Sequence, residues 1–154
     1  MYSAILIILL MVITPALSVA IEAAASHHAV GIFGLTAKWF VFWAVGIRLF
    51  TAGMRQALQP RFTAAEIFEI PNPASHPIVR EVAFGNLSMG TLGMCSLFHP
   101  GWLVPAAVVG GLYYWLTGLL HLVRKDKNVL EQTVMITDAF AFVVLLVVVV
   151  RSLT

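Results

Sequence analysis

Six side chains able to do chemistry stand in stretches otherwise apolar: Arg48, Arg55, Glu81, Asn86, His121 and Asp138. Carboxylate, guanidinium and imidazole together suit proton or ion handling, and an ionisable group within a membrane helix costs about 2.5 to 3.5 kcal/mol to insert. Such groups therefore face a bundle interior and find partners. Asp138 interrupts a Val-Leu-Phe-rich run, so it needs a functional role or a cation such as Arg48 or Arg55. The two arginines are seven residues apart, which puts them on nearly one helix face. A second set, Glu22, His27, His28 and His99, offers the donors that zinc or copper takes. No fixed ligand spacing joins these four, and the expectation is no metal and no cofactor.

The elements that position these residues follow from composition. Of the 154 residues 60% are hydrophobic and 10% charged, against about 25% charged in soluble domains. A bilayer is then the expected surroundings. A spanning helix takes roughly 20 apolar residues, and five such runs are visible, at about 3–25, 39–58, 80–98, 102–123 and 132–150. They make a single all-α transmembrane domain over 1–154, with its longest polar connection at 59–79. No Lys or Arg precedes the first run, which reads as a retained helix rather than a signal peptide. Pro15, well inside it, should free a carbonyl and kink it.

Basic residues orient the chain. Arg55, Arg61 and Arg80 flank the long connection, and Arg124, Lys125 and Lys127 occupy the one after the fourth span, on the same side in a five-span threading. That side is expected to be cytoplasmic, with the N-terminus in and the C-terminus out, in the cell (inner) membrane. Arg55, Glu81, Asn86, His121 and Asp138 then all fall in the cytoplasmic half. On the fourth span Gly110, Tyr114, Thr117, Gly118 and His121 share an arc, and on the third Gly90 and Gly93 lie near the Asn86 face. Small residues at such spacings let membrane helices approach closely. The turn SLFHPGW makes the third and fourth spans a hairpin, which should bring Glu81 and His121 into one neighbourhood.

Several classes drop out. No phosphate-binding glycine loop, HExxH or GxSxG motif is present. Scattered basic residues and interfacial tryptophans do not make a nucleic-acid surface. The single cysteine, Cys95, permits no internal disulfide. Two classes remain: a transport or channel-like protein handling a proton, ion or small polar solute, and a non-catalytic scaffold or accessory subunit. So small a bundle has little interior volume, so a homo-oligomer or a membrane-protein partner is expected beside the lipid bilayer. A membrane enzyme acting on lipid or quinone is a third class, for which no nucleophile–base pair is seen.

The stretches REVAFGNLSMGTLGMCSLF, PGWLVPAAVVGGLYYWLTGLLHLVRKDKN and TVMITDAFAF resemble a small bacterial membrane-protein family, domain of unknown function 6790. The resemblance covers roughly 65–142. It matches a Glu-Val start and Asn-Leu at Glu81 and Asn86, glycines at Gly90, Gly93 and Gly118, then His121, Asn128 and Asp138. The chain departs from the pattern at Ile67-Phe68, where a Gly-Trp pair is usual, and near Glu131-Gln132, where Gly-Asn is. The resemblance implies a site and no reaction. IRLFTAGMRQALQP, in the second span, is more distantly similar to small DoxX-like four-helix proteins.

Overall fold

The computed structural model describes residues 2–26 and 31–154, with side chains from Ala4 onward. It is an all-α bundle. Four helices are long and apolar enough to cross a membrane: α1 (Ala4–Ala25), α2 (Ile32–Leu58), α5 (Pro100–Val123, its first turn 3-10) and α6 (Val129–Leu153). Between α2 and α5 lie a short α3 (Pro60–Glu66) and α4 (His76–Cys95). The expected third span corresponds to α4. Its 20 residues reach about 30 Å, but Arg80, Glu81, Asn86 and Ser88 dilute its apolar character, so it falls outside the four. Packing along α2 holds it in the bundle. The protein is thus a membrane protein in which four of the five expected spans meet the length and apolarity criteria unaided.

Its surface fits hydrocarbon. Leu112, Leu116 and Leu120, four residues apart along α5, are 57%, 56% and 68% exposed. Such an apolar stripe would be a liability in water and suits lipid. The buried face instead carries Val41, Ala44, Val45 and Leu49 of α2 against Ala107 and Tyr114 of α5 and Ala141 and Leu145 of α6.

Helix α2 begins at Ile32, seven residues before the expected start. The added turns carry two polar residues whose groups are satisfied: Thr36 Oγ1 donates to Ile32 O at 2.8 Å and Lys38 Nζ reaches Glu22 of α1 at 2.7 Å. Trp39 and Trp43 also donate to α1, through Glu22 and Ser18. These tryptophans fasten α1 to α2.

Pro15 is accommodated by a widened π turn over Leu9–Ile13. In such a turn the missing N–H of Pro15 would leave Leu10 O without a donor five residues on. The Thr14 hydroxyl reaches that carbonyl at 3.4 Å and Leu9 O at 3.2 Å. A second, longer π segment, Val41–Ile47, ends at Arg48, whose N–H bonds Trp43 O.

Glycines set the closest approach. A Cβ on Gly93 would lie 2.5 Å from Gly46 N, and one on Gly90 would lie 2.5 Å from Phe50 N. So α4 meets α2 backbone to backbone. The SLFHPGW turn does join α4 to α5, but α4 packs chiefly on α2 and α5 chiefly on α6.

The two polar connections meet at one end. Arg124 Nη1 donates to Ile67 O at 2.8 Å and Nη2 to Glu69 Oε2 at 2.8 Å, while Asn128 Nδ2 donates to Glu66 O at 3.1 Å. Glu69 adopts a left-handed backbone, φ 55°, which a non-glycine residue holds only when its surroundings fix it.

Candidate functional site

Asp138 and Arg48 meet at mid-depth. Asp138 lies nine residues after Val129 and Arg48 ten before Leu58, each about 14 to 15 Å along its helix from the polar end. Arg48 Nη2 donates to Asp138 Oδ1 at 2.9 Å, with Arg48 9% and Asp138 2% exposed. Thr117 Oγ1 donates to the other oxygen, Oδ2, at 3.0 Å. Arg48 Nη1 donates to Tyr114 OH at 3.2 Å, and the guanidinium lies 5.0 Å from that ring's centroid. The Tyr114 hydroxyl in turn donates to Ala44 O, within the π segment. One cation and one anion are therefore neutralised by residues from three helices.

A second polar tier lies nearer the connections. Glu131, fully buried at the start of α6, accepts from Arg124 Nη1 at 3.1 Å through Oε1, and His121 Nδ1 lies 3.1 Å from the same oxygen. Asn128 caps α6 by accepting from Glu131 N at 2.9 Å. Arg124 thereby links α6 to the connection carrying Ile67 and Glu69.

A cavity of about 420 Å³ runs between the tiers. It is mostly walled by apolar side chains, among them Leu6 and Leu10 of α1, Phe62 and Phe68 around α3, Leu120 of α5 and Val134 of α6. Its polar lining is Arg48, Thr51, Arg55, Gln56, Thr63, Asn86, Tyr113, Thr117, His121 and Asp138. Arg55 lies over the Phe62 ring, 3.6 Å to its centroid, and Asn86 Nδ2 donates to Gln56 Oε1 at 2.8 Å.

Five of the six expected residues, Arg48, Arg55, Asn86, His121 and Asp138, border this one space. Glu81 does not. It is exposed on α4 and absent from the lining, because five residues separate it from Asn86, about 140° around a helix. Val82, four before Asn86, takes the lining position instead. Sequence reasoning left Gln56 out of the cluster, and placed Tyr114 and Thr117 on one arc with His121 without counting them in the cluster. Their spacing with His121, at positions 114, 117 and 121, was the available signal.

Glu22 is engaged by Lys38 and Trp39, and His99 stacks on Trp102 with centroids 5.3 Å apart. His27 and His28 lie outside the described residues. Among the described residues, no group of three His, Cys, Asp or Glu side chains stands close enough to hold a metal.

The model of a family of unknown function (DUF6790) matches residues 1–153. The DoxX-like similarity of the second span gains no support from it. Comparison with curated proteins and with solved structures gave no match.

Proposed function

The chain belongs to the family of unknown function DUF6790, and from that premise, which supplies no reaction, we propose a transport or channel-like protein that handles a proton, ion or small polar solute. The observation that carries this reading is a buried ion pair at mid-depth opening onto a cavity. A pair sealed among apolar side chains would be out of reach of any solute, and burying its charges carries a desolvation cost. Here Arg48 and Asp138 instead border about 420 Å³, together with hydroxyl, amide and imidazole groups. Occupants of such a space exchange hydrogen bonds with the lining.

Reconstituted liposomes test this. Proton, monovalent-ion or small-solute flux above that of empty liposomes is expected, and Ala52→Trp, which fills the cavity from a half-buried lining position, should abolish it. Empty-liposome permeability to all of these would overturn the reading. The scaffold alternative draws on one observation: both Asp138 oxygens already accept hydrogen bonds, from Arg48 and Thr117. Unaltered permeability with a copurifying membrane partner would favour it.

For orientation we propose that the end holding both polar connections faces the cytoplasm, in the cell inner membrane. Six of nine Lys and Arg residues cluster there: Arg55, Arg61, Arg80, Arg124, Lys125 and Lys127. Ser75→Cys and Asp126→Cys should label together, from the cytoplasmic side alone. Labelling of both from outside would reverse the orientation.

A further inference from the structure

The occupant of the cavity can be specified further, on the reading that the cavity binds a solute. Its lining includes side chains that are also exposed on the bundle's outer surface: Leu6 of α1, Val82 of α4 and Leu120 of α5, each 37 to 68% exposed. All three are apolar. Exposed apolar side chains of a membrane bundle meet hydrocarbon, so a solute entering between them arrives from the bilayer, in uncharged form, because a bare charge crosses hydrocarbon at high cost. Inside, it meets apolar walls and one guanidinium–carboxylate pair. The volume equals roughly fourteen water-sized units at about 30 Å³ each, and falls within the ordinary range of small-molecule sites, about 300 to 1,000 Å³.

We propose that this cavity binds an aliphatic monocarboxylic acid from the bilayer, the acid handing its proton to Asp138 and its carboxylate to Arg48. The step balances. The O–H bond of the neutral acid breaks, an O–H bond forms on the Asp138 carboxylate, and the ligand's new carboxylate takes the Arg48 Nη2 donor that Asp138 releases. Charge at the Arg48–Asp138 site stays constant, with one guanidinium and one carboxylate before and after. A phosphate monoester would need two proton acceptors to shed both protons, and one carboxylate lines the cavity. An amine would meet the Arg48 and Arg55 guanidiniums as like charges. The titratable groups facing Asp138 are Arg48 from α2 and Tyr113, Tyr114 and His121 from α5; α1 contributes only apolar lining, and Asn86 of α4 is neutral.

Purified protein in nanodiscs tests this with decanoate, decanol, decyltrimethylammonium and acetate as probes. Decanoate should bind, at least about tenfold more tightly than decanol or the cation, with acetate weaker still for want of a tail. Calorimetry in two buffers of different ionisation enthalpy should show one proton taken up per decanoate at neutral pH. In Asp138→Asn the uptake should vanish and decanoate should raise the melting temperature by more than in wild type, since its carboxylate supplies the missing counter-ion. That comparison remains readable when the variant alone is unstable. Decanol binding as tightly as decanoate, absence of proton uptake, or equal stabilisation of both proteins would overturn the inference. Ion flux without decanoate binding rejects this inference alone, whereas decanoate binding with empty-liposome permeability upholds it and rejects the transport reading.

Discussion

Asp138→Asn is expected to lower the unfolding free energy by about 3 to 5 kcal/mol, the usual cost of removing one partner from a buried ion pair. The amide can still accept from Thr117, but it cannot neutralise Arg48, which is itself 9% exposed. Among the described residues Arg48 Nε already has no hydrogen-bond partner, so the guanidinium has little to fall back on. The double variant Arg48→Met with Asp138→Leu should recover most of that loss, because apolar replacement of a buried pair is often neutral or better. Tyr114 keeps its bond to Ala44 O and Thr117 its bond to Tyr113 O in that variant. Denaturant unfolding in detergent measures all three proteins. A loss below about 1 kcal/mol for Asp138→Asn would show that Arg48 does not depend on this carboxylate. A large loss establishes the counter-ion without deciding for a scaffold, since a counter-ion that a ligand can replace serves both roles.

The second large effect concerns one chemical change with opposite signs at two places on α4. Gly93→Ala puts a methyl group within 2.5 Å of Gly46 N and 2.8 Å of its Cα, both backbone, so α2 and α4 must separate. Overpacking of this kind costs about 1 to 3 kcal/mol or more. Gly85→Ala meets nothing within 4 Å and should stabilise by about 0.5 to 1 kcal/mol through the better helix propensity of alanine. Thermal unfolding of the two variants beside wild type checks the pair. Equal shifts would mean that the Gly46–Gly93 contact does not set the helix separation.

Helix positions were legible because apolar runs of membrane length leave few alternatives, and Arg48 with Arg55 could be placed on one face by their seven-residue spacing. What failed was angular and pairwise. Glu81 was grouped with Asn86 by depth alone, although five residues on a helix turn a side chain away from its neighbour's face. Glu131 stood out only as a departure from the family pattern, because its partners Arg124 and His121 come from the preceding helix and its end. Helix α2 extends seven residues ahead of its expected start because Thr36 and Lys38 find partners, a carbonyl and Glu22, that an apolar run does not reveal. The choice of packing partner for α4 was likewise hidden: glycines at 90 and 93 announce close approach but do not say to which helix.

The ion pair joins residues 90 positions apart, which gives it a history during synthesis. At about 5 to 20 residues per second, some 5 to 18 s separate the translation of Arg48 from that of Asp138. Throughout that interval α2 carries a guanidinium at bilayer depth with its carboxylate not yet made, while α4 and then α5 are being added. Tyr114, which arrives earlier, offers a hydroxyl but no charge. The bundle therefore closes from its last helix: insertion of α6 supplies the charge that lets α2 settle, and a ribosome that stalls before it leaves a half-built protein marked for the cell by an unneutralised arginine.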